Sequence, residues 1–209
     1  MFQAGAFLAL ALASGAAFAA DNWSLEVAGG TSHNFRNRLR IEQEGGFSAS
    51  VNASYDTRAF RSPPYYMLRG ARWQGDAAWE MSQIHHKLYL TNPPTGVTGL
   101  SVSHGFNIIS VNRAFRRGDW IYRFGAGPVI THAEATILQT KYDGPYRLSG
   151  AAVLAGVGRR HYFSSSTYIG AEGAATAAYA KPKMSGPPQA QLSVKNTALH
   201  FLAGVGHEF

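Results

Sequence analysis

The sequence predicts an all-β fold, a transmembrane up-and-down antiparallel β-barrel of about ten strands, with eight as the alternative count. Three observations carry this prediction. Only 15% of the 209 residues are charged, whereas about 25% is typical of soluble domains. Beyond residue 20, no apolar run approaches the roughly 20 residues that a membrane helix needs. Instead, apolar and polar residues alternate in successive segments, which is the pattern of strands with two different faces.

Residues 1–19 are predicted to be a secretory signal peptide, and residues 20–209 a single barrel domain. An apolar stretch at residues 4–12 is followed by Ala-Phe-Ala at residues 17–19, which fits the small-x-small cleavage pattern, although no positive residue precedes the stretch. The chain has no cysteine. An exported protein without disulfides needs another source of rigidity, and a sheet closed into a barrel supplies one.

The alternating segments are separated by short turns and by longer loops rich in proline and glycine. Ten segments are predicted as strands: residues 22–32, 38–44, 47–57, 65–73, 77–90, 104–115, 120–134, 148–158, 166–180 and 192–209. If the first two are misread, eight strands remain. Short turns at one end and long loops at the other are typical of membrane barrels. Four short turns are predicted at the same end: Gly45–Gly46, Gln74–Asp76, Arg116–Asp119 and Arg159–Ser164.

The last strand has one apolar face that ends on an aromatic residue. Every second residue is apolar, with His207 as the exception: Leu199, Phe201, Ala203, Val205 and Phe209. No backbone group can stay unpaired in lipid, so such a strand must close the sheet and turn this face to acyl chains. The ending resembles the C-terminal signature of bacterial outer-membrane proteins, and the mature chain is similar to the small β-barrels of that class.

The resemblance implies a location in the outer membrane of a Gram-negative bacterium, with both termini in the periplasm. It also implies that the barrel assembly machinery recognises Phe209, and that outer-membrane lipids and lipopolysaccharide are partners. The net charge of +7 is consistent with attraction to lipid phosphates. Nucleic acid is not expected as a partner of an exported chain.

The polar faces of the segments predict a filled interior. Eight side chains are expected to line it: Glu26, Arg40, Glu42, Asn52, Asp56, Arg69, Glu80 and Arg123. In a barrel of about ten strands, such side chains pair across the interior and close it. The leading prediction is therefore an integral membrane protein with a structural or surface-binding role rather than an enzyme. A narrow pore is one alternative.

A second alternative is a lipid A-modifying acyl hydrolase in the outer leaflet. The turn at Arg116–Asp119 sets the pairing of its two strands, which places Ser103 opposite His132, with Glu134 two residues further on the same face. These residue types are the parts of an acyl-transfer site, with Ser103 as nucleophile, His132 as base and Glu134 as orienter. The group resembles outer-membrane lipid A deacylases, which carry a His/Ser pair and a nearby Glu on barrel strands. In those enzymes, however, the pair lies two residues apart on one strand.

Metal binding by His85, His86, His104 and His132 is a further possibility. Adjacent residues of a strand point to opposite faces, so at most one of His85 and His86 can join such a cluster. The glycine-rich residues 125–128 lie within a predicted strand with no helix after them, which excludes a phosphate-binding loop. The leading expectation remains that the chain holds no cofactor and no bound metal, with the histidine site as the alternative.

Overall fold

The computed structural model describes residues 22–209. The predicted signal peptide, residues 1–19, lies outside the described residues. Within the described range, no helix is long and apolar enough to cross a lipid bilayer. The same range forms fourteen strands: β1 (Asn22–Asn34), β2 (Asn37–Gln43), β3 (Ser48–Ala53), β4 (Tyr55–Asp56), β5 (Tyr66–Gln74), β6 (Ala77–Leu90), β7 (Val97–Arg117), β8 (Trp120–Thr131), β9 (Glu134–Ile137), β10 (Thr140–Asp143), β11 (Arg147–Tyr162), β12 (Thr167–Ala180), β13 (Lys183–Met184) and β14 (Ala190–Glu208).

Eight of these strands form a closed ring. Their order is β1, β5, β6, β7, β8, β11, β12 and β14, and each pairs with its neighbours in antiparallel fashion. The ring closes between β1 and β14, from Ser24 opposite Glu208 to Asn34 opposite Ala198. Closure leaves the ring without a sheet edge, as a barrel in lipid requires. The predicted up-and-down antiparallel barrel is confirmed.

The other six strands extend this ring at one end, and they explain why ten predicted strands become eight. β2 continues β1 along β14 after a bend at residues 35–36, so that Leu39 lies opposite Val194. β3 and β4 then return toward β5, with β4 paired to β6. In the same way, β9 continues β8 beside β7. We call each of the eight strand positions around the ring, with its continuation toward the loop end, a path. The first two predicted strands lie along one path, and the next two lie along the neighbouring path.

The two ends of the barrel differ in their connections. The turn end has short connections between β5 and β6, β7 and β8, and β11 and β12, and it holds Asn22 and Glu208. The loop end holds the β2–β3 and β9–β10 hairpins. Gly45–Gly46 forms the tip of the first hairpin, at the loop end. The prediction that this turn shares an end with Gln74–Asp76 is wrong, because β2 continues upward from β1 instead of reversing it.

The polarity of the two faces of β14 inverts along its length. Toward the turn end, the outward side chains are apolar and are about half exposed, with 54% for Phe201 and 55% for Val205. Toward the loop end, the inward side chains of Leu192 and Val194 are apolar and fully buried, whereas the outward residue Lys195 is charged and exposed.

The same inversion runs around the barrel and divides it into two parts. The stem comprises residues 22–34, 66–85, 107–131, 148–180 and 198–209, and the head comprises residues 35–65, 86–106, 132–147 and 181–197. Exposed apolar side chains cover the stem: Leu25, Val27, Met81, Val111, Phe124, Val153 and Ile169. Buried apolar side chains fill the head, and this core reaches into the upper stem at Ile108 and Val129: Leu39, Ile41, Leu100, Val102, Ile137, Leu192 and Val194.

Candidate functional site

The interior of the stem is filled by a network of four arginines and four glutamates: Arg69, Arg116, Arg123, Arg160, Glu26, Glu80, Glu172 and Glu208. Arg69 donates two hydrogen bonds to Glu172, at 2.8 and 2.9 Å, and one to Glu26 at 3.1 Å. Arg123 donates to Glu80 Oε2 at 2.9 Å. Arg69 on β5 and Glu172 on β12 are three strands apart around the ring, so these contacts cross the interior.

Pairing is what allows these charges to be buried. The side chains of Arg69, Glu80 and Arg123 are at most 2% exposed. An unpaired ion in such a place loses its hydration at a cost of several kcal/mol, which only ionic partners and hydrogen bonds offset. The stem interior therefore contains a balanced set of charges, each held in one geometry by its partners.

The interior prediction holds in the stem and fails in the head. Four predicted residues lie in the stem network: Glu26, Arg69, Glu80 and Arg123. The other four lie on the outer surface of the head, because the inward face there is the apolar one: Arg40, Glu42, Asn52 and Asp56. Glu172 was missed, although it is the single charged residue in the run of small residues from Gly170 to Ala178 and so carries a sequence signal.

A layer of uncharged polar groups lies where the stem network meets the apolar core. Tyr65 and His200 share a hydrogen bond between the tyrosine hydroxyl and Nδ1, and His200 Nε2 is 2.7 Å from Thr176 Oγ1. His86 Nε2 is 3.0 Å from Asn34 Oδ1. These side chains, which come from five separate segments of the chain, complete the filling of the interior.

β7 bulges beside the junction of β8 and β9. Phe106 lies opposite Thr131, and Ser101 lies opposite Glu134. Four residues of β7 therefore lie between these pairs, against two residues on the other path. Gly105 has a φ of 146° in this bulge, a conformation that favours glycine.

The turn between β7 and β8 sets a pairing two residues away from the one that the sequence predicts, because Arg117 already lies opposite Trp120 and the same register continues to Phe106 opposite Thr131. The backbone N–H of His132 donates to the carbonyl of Gly105 at 3.1 Å. The prediction that His132 lies opposite Ser103 is therefore wrong by two residues. Beyond this point, the bulge in β7 turns His104 toward the path that β8 and β9 share.

The side chains of His104, His132 and Glu134 meet at this bulge, and we call them the rim cluster. One nitrogen or oxygen atom of each lies within 4.8 Å of those of the others. His104 Nδ1 is 3.5 Å from Glu134 Oε1, and Ser101 Oγ donates to Glu134 Oε2 at 3.3 Å. The two histidine rings meet edge to face, with centroids 5.2 Å apart.

The ring of His132 is held from two sides. Its Nε2 is 3.1 Å from Asp143 Oδ1, and the ring of Tyr146 packs against it with centroids 4.8 Å apart. The Tyr146 hydroxyl donates to the carbonyl of His104 at 2.7 Å. Burial raises the pKa of Tyr146, so this hydroxyl stays protonated and remains a donor at neutral pH. His132 Nδ1 is buried and has no hydrogen-bond partner within residues 22–209 as described.

The structure brings two of the three predicted catalytic residues together. His132 and Glu134 belong to the rim cluster, and Ser103 belongs to β7, with its side chain outside the described part of the structure. The carboxylate beside His132 is that of Asp143, whereas Glu134 faces His104. The contacts favour Asp143 as the group that orients His132, and the catalytic roles of Ser103, His132 and Glu134 stay a prediction.

Of the four histidines considered for a metal site, the structure unites two. His104 and His132 meet in the rim cluster. His85 instead stacks on Tyr66, with centroids 4.9 Å apart, and its Nδ1 is 2.8 Å from Asn107 Oδ1. His86 points into the barrel.

No family model and no curated protein matches the sequence. Solved structures do match. The outer membrane protein OprG from Pseudomonas aeruginosa is 9% identical with a TM-score of 0.52, over 90% of this chain and 96% of that one. The outer membrane protein AlkL, solved in DMPC lipid bilayers, is 12% identical with a TM-score of 0.51, over 90% of each chain. At these identities the likeness concerns the fold, and this chain has the fold of small outer-membrane β-barrel proteins.

Proposed function

We propose that this protein is an integral outer-membrane protein whose stem crosses the bilayer and whose head projects from the cell surface, where it has a structural or surface-binding role. The inversion of polarity between stem and head carries the proposal. An apolar outer face suits acyl chains, and a polar outer face over an apolar core suits water. One continuous set of strands with both patterns fits a protein that passes from lipid into water.

The length of the strands supports this division. The outer face that is apolar except at His207 runs from Leu199 in β14 to Phe209 just after it, which is eleven residues, and a tilted membrane-spanning strand needs about 9–11. β7 and β14 have 21 and 19 residues in all. β7 is thus roughly ten to twelve residues, and β14 roughly eight to ten residues, longer than a bilayer requires.

The start of β1 and the end of β14 support the predicted orientation. Asn22 and Glu208 lie together at the turn end, which we place in the periplasm. The backbone N–H of Phe209 donates to the carbonyl of Trp23 at 2.9 Å, and the Phe209 ring is 48% exposed. An accessible terminal aromatic on the last strand is what recognition by the barrel assembly machinery would need.

A groove on the outer wall supports outer-membrane lipids, lipopolysaccharide included, as partners. It has a volume of about 910 Å³ and lies where stem and head meet, between β8, β11, β12 and β14. The small residues Gly127, Ala151 and Ala177 line the groove and leave space in it. Tyr179 and Lys195, which are paired across β12 and β14, also line it. Such a surface accommodates acyl chains beneath a lipid phosphate held by the lysine.

The filled interior argues against the narrow pore. In the stem, arginine–glutamate pairs cross the ring, and in the head an apolar core occupies the same axis. We expect the purified protein to show no single-channel conductance in planar bilayers. Stepwise currents that persist in protein repurified to homogeneity would restore the pore as a candidate.

The orientation can be tested by cysteine labelling, because the native chain has no cysteine to react. Ser48 lies exposed in the β2–β3 hairpin, and Ser165 lies exposed in the turn between β11 and β12. In intact cells, a membrane-impermeant maleimide should label Ser48→Cys and leave Ser165→Cys unlabelled. After the outer membrane is permeabilised, both variants should react.

The two serine variants control for each other, since the substitution and the exposure are matched. Labelling of Ser165→Cys alone in intact cells would reverse the proposed orientation. Labelling of neither variant in intact cells, with both reacting after permeabilisation, would place the head away from the cell surface. Unboiled protein should also migrate differently from boiled protein on a gel, as closed barrels do.

The acyl hydrolase is a second candidate, favoured by the contact of His132 with a carboxylate close to the proposed bilayer surface. If it is correct, lipid A from cells that carry the protein should lack an acyl chain present in cells without it. Ser103→Ala should abolish that difference in mass spectra. An unchanged lipid A profile would remove this candidate and leave the structural or surface-binding role.

A further inference from the structure

We propose that the rim cluster binds one divalent transition-metal cation, with His104, His132 and Glu134 as its protein ligands. Two imidazoles and one carboxylate suit Zn²⁺ and its first-row neighbours, whereas Ca²⁺ and Mg²⁺ take oxygen ligands. The inference goes beyond the proposed function, because it depends neither on the orientation of the head nor on hydrolysis of lipid A.

The spacing of the ligand atoms is close to what a small cation needs. Metal–ligand distances of about 2.0–2.1 Å in a tetrahedral site put two ligand atoms about 3.3 Å apart. His104 Nδ1 and Glu134 Oε1 are already 3.5 Å apart, and the whole group fits within 4.8 Å. The largest remaining adjustment is about 1.5 Å, within the reach of a side-chain rotation.

Asp143 gives His132 the surroundings typical of a metal ligand. A ligating histidine commonly donates its second ring N–H to a carboxylate, which fixes the ring and makes the other nitrogen a better donor to the metal. His132 Nε2 is 3.1 Å from Asp143 Oδ1, and Nδ1 is the buried nitrogen without a hydrogen-bond partner in the described residues. A cation bound at Nδ1 would satisfy that nitrogen.

The cluster combines one fixed ligand with two adjustable ones. The His132 side chain is 15% exposed and packs against Tyr146, whereas the side chains of His104 and Glu134 are 49% and 36% exposed. An ion can therefore reach the site from solvent and draw the two outer ligands toward the buried one. Three protein ligands leave a fourth position for water or an external anion.

The Gly105 bulge assembles this group. On a regular strand pair, the four residues of β7 between Ser101 and Phe106 would face four partners, but here they face two. The surplus backbone brings His104 beside residues that β8 and β9 supply. This observation is independent of the ligand chemistry and points to the same three side chains.

The test is a titration of the purified, folded protein in detergent, without a polyhistidine tag. Zn²⁺ binding is followed by calorimetry, and Co²⁺ binding by its visible absorption, which reports the coordination geometry. We expect one ion per chain. Glu134→Gln and His132→Ala should each weaken binding about tenfold or more. Asp143→Asn removes the hydrogen-bond partner of a ligand, and it should weaken binding about tenfold to a hundredfold.

Two variants show whether the effect belongs to the rim cluster. His161→Ala removes an exposed histidine near the turn end and should leave affinity unchanged. Ser103→Ala should also retain the metal, which separates this proposal from the hydrolase candidate. Heat-modifiable migration verifies that each variant is folded, and Glu134→Gln, at a partly exposed position, serves if His132→Ala does not fold. Absence of saturable one-to-one binding, or equal loss in His161→Ala and Glu134→Gln, would overturn the proposal.

Discussion

The stem and the head are built on the same eight paths, but they fill their interiors in opposite ways. In the stem, inward positions carry arginine and glutamate, and outward positions carry leucine, valine and phenylalanine. In the head, the inward positions of the same strands carry leucine, isoleucine and valine. Alternation in a sequence therefore shows only that a strand has two faces. The surrounding solvent decides which face turns inward.

The two interiors also differ in what holds them together. The head gains stability from apolar area removed from water, which depends little on direction. The stem gains less from this source, because its outward apolar side chains face lipid and only a small apolar cluster around Trp73 and Ile121 is buried near its turn end. Its interior depends mainly on hydrogen-bonded charge pairs of defined geometry. Removing one partner from the stem should therefore cost more than removing a methyl group from the head.

The largest effect is expected for Arg69→Leu. Arg69 contacts Glu26, Glu80 and Glu172, so its loss leaves three buried carboxylates with one fewer cation between them. Breaking a buried ion pair in this way costs about 3–5 kcal/mol of unfolding free energy. Urea unfolding of the barrel in lipid vesicles, followed by circular dichroism, measures the loss.

Arg159→Leu is the matched control, since the same substitution removes an exposed ion pair at the turn end of the barrel. Arg159 Nη2 is 3.2 Å from Asp119 Oδ2, and both side chains are more than 60% exposed. Such a pair contributes at most about 1 kcal/mol. Similar losses in the two variants would contradict a stem that depends on its buried network.

The sequence predicts the stem better than the head for the same physical reason. Glu26, Arg69, Glu80 and Arg123 were assigned correctly because the membrane-barrel pattern, polar inside, applies to them. Residues 38–57 alternate just as clearly, but they stand in water on the proposed division, so their polar residues face out. No single-strand pattern distinguishes these cases.

The rim cluster could be predicted only in part. His132 and Glu134 are two residues apart, which placed them on one face. The partner of His132 was miscounted by two residues at the turn, where Arg117 lies opposite Trp120. The bulge at Gly105 then shifts the register toward Ser101 and Glu134, and a glycine inside a strand is a signal for such a bulge. Asp143 and Tyr146 reach the site only through the β9–β10 hairpin, whose return is a tertiary feature.

An intermediate effect is expected from charge placed at two depths on the outer face of β14. Val205 lies near the middle of the apolar outer face of the stem, and a lysine near the bilayer centre costs about 2–4 kcal/mol. Gln191 lies in the head opposite Glu42, where Gln191→Lys should change stability by less than about 1 kcal/mol. Equal costs for Val205→Lys and Gln191→Lys, measured by unfolding from vesicles, would break the division into stem and head.

The smallest effect is expected for Ile41→Val, which tests whether the head has a packed core of its own. Ile41 is fully buried opposite Leu192, and loss of one methyl group from such a site costs about 0.5–1.5 kcal/mol. Because the cavity lies in the head, limited proteolysis should cut residues 35–65 faster while the stem keeps its heat-modifiable migration.

Ile169→Val makes the same change at a stem position that is 50% exposed on the outer face, where lipid fills the space and no cavity forms. Faster cutting of the head in both variants would show that head and stem do not unfold separately. Faster cutting in Ile41→Val alone would support two interiors with separate sources of stability.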